Sequence, residues 1–156
     1  MNLNIIIRGA VIDDLEACVA IDAPNFNIFD RAKRRKHFVK MIPEDGMLVL
    51  EHENSIVAYA TFEPDWFGCT FLKLVVTDVS VRRKGLAALL IQYVEDHHCP
   101  SGKFFSSTED DNEASKKLHE KLGFKVSGWL DNLPQPHREI FYFKLIKKDA
   151  TSSIHE

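Results

Sequence analysis

Phe71-Leu72-Lys73-Leu74-Val75-Val76-Thr77-Asp78-Val79-Ser80-Val81, followed at once by Arg82-Arg83-Lys84-Gly85-Leu86-Ala87, is the stretch on which the fold turns. The first part is a nearly continuous apolar run, the pattern of a central strand covered on both faces, and predicts a strand over residues 71–79. The second part is a tight cationic turn that opens a helix. Such a turn points several backbone N–H groups at one spot and adds the partial positive charge of a helix N-terminus. Three cationic side chains surround it, so the expected guest is a phosphate or pyrophosphate. Basic residues before a helix also make ordinary solvated turns. Gly85 tips the balance, because it permits a backbone conformation other residues resist and carries no Cβ to block a ligand. The window lacks the Gly-x-x-x-x-Gly-Lys-Ser/Thr order of a P-loop and the three glycines of a dinucleotide fold. What remains is the order Arg/Gln-x-x-Gly-x-Gly/Ala.

Outward from this stretch the chain alternates strands and helices. Leu86, Leu89, Leu90, Tyr93 and Val94 recur at i, i+3, i+4, i+7 and i+8, one apolar face of a helix. Pro100-Ser101-Gly102 ends that connection, and the aromatic run Lys103–Ser107 is the next strand, which predicts a parallel, right-handed crossover. Asn112–Leu122 reads as a helix stopped by Gly123, with strands at about Lys125–Leu130 and Glu139–Ile146 joined across Pro134-Gln135-Pro136. Upstream, Asn4–Arg8 is a short β-branched strand. Asp13 and Glu16 have capping-box spacing for a helix ending near Asp22. Pro24 and Asn25 break it, and Arg31–Lys36 then forms the solvated basic face of a helix whose Phe38, Met41 and Ile42 turn inward. Met47–Glu51 and Ile56–Glu63 are antiparallel strands across the turn His52–Ser55. From Lys147 the sequence is polar, without core-building pattern.

The phosphate turn and its strand resemble the acetyl-CoA pyrophosphate loop and central strand of the GNAT N-acetyltransferase superfamily. Asn112-Glu-Ala-Ser-Lys-Lys-Leu-His-Glu-Lys-Leu-Gly-Phe124 is similar to that family's Asn-x-x-x-x-x-Leu-Tyr-x-x-x-Gly-Phe segment. The resemblance covers roughly residues 4 to 146 and is sharpest between 71 and 124. It implies an α/β (α+β mixed-sheet) class with a mixed central sheet flanked by helices, in a single domain 1–147 followed by a polar tail 148–156. It implies acetyl-CoA as co-substrate. The backbone of Val75, Val76 and Thr77 would lie beside the pantetheine and acetyl groups. Arg82, Arg83, Lys84, Gly85, Leu86, Ala87 and Ala88 would cradle the pyrophosphate, and the Asn112 amide would bond the cofactor. Asn112 at a helix start is also an ordinary N-cap.

Direct transfer to an amine poses two proton problems. A lysine-like amine is protonated up to a pKa of about 10.4, so a base or a wired water must deprotonate it. The leaving thiolate benefits from an acid, and the Val76 N–H is the expected donor to the oxyanion formed between the two. Where the family usually carries its tyrosine, this chain has His119, which shares one helix face with Asn112 and Ser115. The resemblance makes His119 the candidate acid; the alternative is a helix-surface histidine. Many relatives carry a glutamate on the central strand or on the following strand, where this chain has Lys73 and Ser107. Glu63, with Asp65, is the nearest substitute base, with a water chain as the default. Trp66, Phe67, Trp129 and the Pro134–His137 loop are candidates for an acceptor pocket. The acceptor expected is a small-molecule amine before protein N-termini or lysines. An acyl-CoA sensor without turnover is the alternative reading, and a homodimer is compatible with the family.

Bulk properties exclude several other classes. At 156 residues one substantial core is expected. A net charge of −3 argues against a general nucleic-acid or membrane-surface binder, and no apolar run reaches the ~18 residues of a membrane helix. Three widely spaced cysteines suggest neither disulfides nor a metal site but reduced, mostly buried thiols, which with the N-terminal sequence fits the cytoplasm.

Overall fold

The computed structural model describes residues 4–22 and 28–146, so the polar tail 148–156 and the break at Pro24–Asn25 lie outside the described residues. Seven strands form the mixed sheet of an α/β fold flanked by helices, the class expected. Two compact units divide the chain: residues 1–63 with 72–94, and 64–71 with 95–156.

In the first unit the strands β1 (Ile5–Gly9), β2 (Met47–His52), β3 (Ser55–Trp66) and β4 (Cys69–Thr77) lie side by side in that order. β1 and β2 are antiparallel with Ile5 opposite His52, and β2 and β3 are antiparallel with Met47 opposite Thr61. The β2–β3 turn is made by Glu53 and Asn54, both with φ in the left-handed region, as a two-residue hairpin requires. Met47 to Leu50 and Ala58 to Phe62 are all buried, so these strands are covered on both faces. Helices α1 (Leu15–Asp22) and α2 (Ile28–Met41) cover one of them, joining Cys18, Val19, Ile21, Phe38 and Met41 to Met47, Val49 and Tyr59, with Leu74 and Val76 of β4 packed alongside.

Helix entry departs from the expected capping box. A 3₁₀ turn at Ile12–Asp14 precedes α1, and it is Asp14 whose carboxylate accepts the Val11 N–H, at 2.8 Å. Asp14 is buried and takes two bonds from Arg8, at 2.7 and 2.9 Å, which hold its carboxyl below the usual carboxylate range. Glu16 pairs instead with Arg35 of α2. The glutamate spacing marked Asp13, but the Arg8 guanidinium on β1 and the Val11 N–H both bond Asp14. The basic face of α2 is exposed as expected apart from Arg34, whose Nε reaches buried Asp22 at 3.2 Å. The Tyr59 hydroxyl donates to the same carboxylate, tying α1 and α2 to β3.

His37 of α2 meets the Thr61 hydroxyl at 3.0 Å, and burial together with the charges of Lys73, Arg34 and Lys40 pushes its pKa down to about 4. A histidine unfolded at about 6.5 then binds more protons in the unfolded chain than in the folded one. Folding stability is therefore complete above about pH 6.5 and declines as the pH falls toward 4. Urea midpoints at pH 7 and 5 should show this fall in the wild type, and His37→Gln should reduce it.

Helix α3 (Leu86–His97) buries Leu86, Leu90, Ile91 and Val94. Leu89, expected on the buried face, is 43% exposed, and Ile91 takes its role. The buried stripe is rotated by about one position from the expected one.

In the second unit β5 (Lys103–Glu109), β7 (Glu139–Leu145) and β6 (Lys125–Leu130) follow one another, both pairs antiparallel. Strand alternation divides β5 and β7 into two faces. Phe104, Ser106, Thr108 and Tyr142 are buried with His119 of α4 (Glu113–Lys121) and with Phe124. Phe105, Ser107 and Glu109 point the other way, opposite Phe143, Phe141 and Glu139. Pro64 and Asp65 belong to β3 rather than to a turn; the chain reverses at Phe67 and Gly68, with φ of 51 and 77. Cys18 and Cys99 are buried free thiols, pushed up to about 12 and 11 mainly by that burial.

Candidate active site

The cationic turn takes the form the sequence predicts. A short 3₁₀ turn, Val79–Val81, is capped by Asp78, whose carboxylate accepts the Ser80 N–H at 2.9 Å. Val81 and Leu86 are buried and anchor the two ends, while Arg82, Arg83, Lys84 and Gly85 between them are exposed. Arg83 has φ 66 and Gly85 φ 76, with Lys84 in an ordinary conformation between them. Such alternation curls successive N–H groups into an anion-binding concavity. A left-handed arginine is itself uncommon and costs free energy that a bound anion can offset. No acidic residue stands in the first turn of α3, and among the described residues Arg82, Arg83 and Lys84 form no ion pair. A site built for an anion needs those charges uncommitted.

A Cβ at Gly85 would meet no protein atom within 4 Å. The glycine is therefore required for its φ, not for room within the protein. Gly85→Ala should strain the turn by about 1–2 kcal/mol, read as roughly tenfold weaker binding in a CoA titration, and Gly85→Asn should retain most of the affinity because asparagine tolerates this conformation.

Val75, Val76 and Thr77 end β4, half-buried, with Val76 against the helix-covered core and Val75 and Thr77 on the opposite face. Lys73, on that opposite face, holds Glu63 in an ion pair at 3.0 Å. The substitute base expected at Glu63 is thus engaged in an ion pair with Lys73.

In the second unit Asn112 caps α4, its side-chain oxygen accepting the Ser115 N–H at 3.1 Å. The cap uses only Oδ1, and the two Nδ2–H donors remain for a ligand. His119 is 5% exposed, so the helix-surface alternative is corrected: it faces inward, stacked on Tyr142 with ring centroids 4.3 Å apart. Its Nδ1 lies 2.7 Å from the Ser115 carbonyl oxygen, which can only accept, so Nδ1 carries the hydrogen. Nε2, 2.8 Å from Ser106 Oγ, then accepts the serine hydroxyl. Burial lowers the His119 pKa, against a smaller upward effect of the Ser115 carbonyl. A neutral ring with both nitrogens engaged is a poor proton donor.

The opposite face of β5 and β7 carries a feature that reading the sequence missed. The Ser107 hydroxyl donates to Glu139 Oε2 at 2.7 Å. Gln135 reaches the other oxygen at 3.5 Å. Alternation along Glu139–Leu145 would have signalled that Glu139 and Phe141 share a face, but only the register, Ser107 opposite Phe141, brings the serine diagonally beside Glu139. Trp66 joins Phe71, Phe105 and Phe141 at centroid distances of 4.7, 5.3 and 6.3 Å. Trp129 is opposite Ile140, on the other face, with Arg138 over its ring at 4.8 Å. The aromatic residues grouped by sequence as one pocket are therefore divided between two faces. Donor atoms of Glu109, Asp111 and His137 lie within 4.8 Å of one another, and His137 is already in ion-pair contact with Asp110 and Asp111.

An exposed turn with two left-handed residues, three cations outside any ion pair among the described residues and the end of β4 make up a candidate anion site. The model of the acetyltransferase (GNAT) family matches residues 15–124. A GNAT-family acetyltransferase from Bacillus cereus ATCC 10987 is 33% identical, with a TM-score of 0.82 over 92% of this chain and 99% of that one. An N-acetyltransferase from Staphylococcus aureus Mu50 is 25% identical, with a TM-score of 0.69 over 92% and 99%. The structure of yncA from Salmonella typhimurium with its cofactor acetyl-CoA, 21% identical with a TM-score of 0.70 over 94% and 96%, shares the fold. No curated protein matches. The chain belongs to the GNAT acetyltransferase family, whose members carry out acetyl-CoA-dependent acetyl transfer. The open, cationic, left-handed turn fits the pyrophosphate of that co-substrate.

Proposed function

We propose that this chain, acting in the cytoplasm as one catalytic domain over residues 1–147, transfers an acetyl group to the primary amine of a small molecule in a ternary complex. The observation that carries the reading is the exposed turn Arg82–Gly85, with its left-handed residues and unpaired cations. Bound acetyl-CoA supplies the activated thioester. The backbone from Arg82 to Ala88 binds the pyrophosphate, with charge-assisted bonds from Arg82 and Arg83. Asn112 contributes its spare amide hydrogens, and the Val75–Thr77 backbone lines the acyl end, where the Val76 N–H is the donor to developing negative charge.

Direct transfer is favoured over an acyl-enzyme because Cys18 and Cys99 are buried with thiols pushed up by that burial, and Cys69 stands at the start of β4, the opposite end of the strand from Val75–Thr77. Proton removal from the amine falls to water, since Glu63 is matched by Lys73. His119 serves as a brace that orients Ser106 and fixes α4 against β7.

A panel of primary amines at saturating acetyl-CoA should release free CoA thiol, with intersecting initial-velocity lines. Silence across the panel from folded protein would sink the proposal. Tight acetyl-CoA binding without turnover would favour a sensor module, the reading that the neutralised Glu63 supports.

A further inference from the structure

The outer face of β5 and β7 combines two properties seldom adjacent by accident. One is a row of half-buried rings: Phe105 opposite Phe143, Phe141 next along, and Trp66 and Phe71 against them. The other is Glu139, half-buried at the end of the row and oriented by Ser107 and Gln135. Both donors are neutral. Among the described residues no cation pairs with Glu139 or with Glu109 opposite it, whereas nearby Asp131 pairs with Arg138. A half-buried carboxylate held only by neutral donors can still gain a charge-assisted bond from a cation arriving from outside.

The third strand leaves room for what that cation is attached to. β6 slips in register between Val126 and Gly128, which sets Gly128 opposite Phe141. A Cβ at Gly128 would meet no atom within 4 Å, so the space beside the Phe141 ring is open. Leu130, opposite Glu139 and half exposed, forms a rim. Aromatic faces carry negative quadrupoles and large apolar areas, so the row suits the body of an amine as well as its charge.

We infer that this face is the acceptor subsite, and that Glu139 selects a protonated primary amine carrying an aromatic or bulky apolar body. The inference rests on the acetyl-transfer reading for what happens to that amine, but the recognition stands on this unit alone. Glu139 receives the ammonium, Ser107 and Gln135 hold the carboxylate in place, and the notch at Gly128 accepts the body.

The test is calorimetric titration of the full chain, with and without CoA, using 2-phenylethylamine and its neutral counterpart 2-phenylethanol. Wild type should bind the amine at least tenfold tighter than the alcohol, as a charge-assisted contact gives. Glu139→Gln should abolish that preference, and Gly128→Val should weaken both ligands at least tenfold while leaving circular dichroism unchanged. Equal binding of amine and alcohol, absence of amine binding, or an undiminished preference in Glu139→Gln would overturn the assignment. Amine binding without thiol release would defeat the acetyl-transfer reading and leave the subsite standing. Turnover of amines whose KM ignores Glu139→Gln would do the reverse.

Discussion

Alanine at Arg82, Arg83 and Lys84 together is expected to raise the dissociation constant for CoA by about 100-fold. Hydrogen bonds to charged groups contribute about 1.5–3 kcal/mol each, and all three cations are exposed, so the screened loss is set at about two tenfold steps of roughly 1.4 kcal/mol. The salt dependence should fall with it, because the wild-type contact is charge on charge and is screened at high ionic strength. The backbone donors survive the substitution, which predicts residual binding rather than none. Calorimetry at two salt concentrations checks both parts. A change under threefold would mean that the turn does not hold the pyrophosphate.

His119→Ala is expected to destabilise the fold by about 3 kcal/mol, while the rate of acetyl transfer per folded molecule changes less than tenfold. The stability loss has three sources. The buried Ser106 hydroxyl loses its acceptor at 2.8 Å, the Ser115 carbonyl loses its donor, and Tyr142 loses the ring stacked on it. His119→Phe restores the stacking volume and should recover part of the loss. General-acid groups contribute about 10²–10⁴-fold to rate, so a kcat decrease of that size with stability kept would restore His119 as the proton donor. Urea denaturation and single-turnover kinetics separate the two roles.

These two residues groups illustrate how unevenly the sequence speaks. The turn was legible because its determinants are local: an apolar run, a glycine where φ must be positive and a helix that begins one residue later. The elements from Asn112 to Leu145 were legible for the same reason, each bounded by its own cap or proline loop. His119 was not. Its spacing from Asn112 and Ser115 establishes a shared helix face, but which way that face points depends on the strand packed beneath it. The capping aspartate followed the same logic: Asp13 has the glutamate spacing, but Asp14 is the one that Arg8 reaches.

Read alone, the chain determined the order and class of its elements and the location of an anion-binding turn, because hydrophobic periodicity and turn chemistry act over a few residues. Tertiary structure decided which partners the candidate proton-handling and acceptor residues meet, because a charge takes its meaning from its partner. Lys73 neutralises Glu63 ten residues away, Ser106 and Tyr142 enclose His119, and Ser107 orients Glu139 across a strand register that no local pattern specifies.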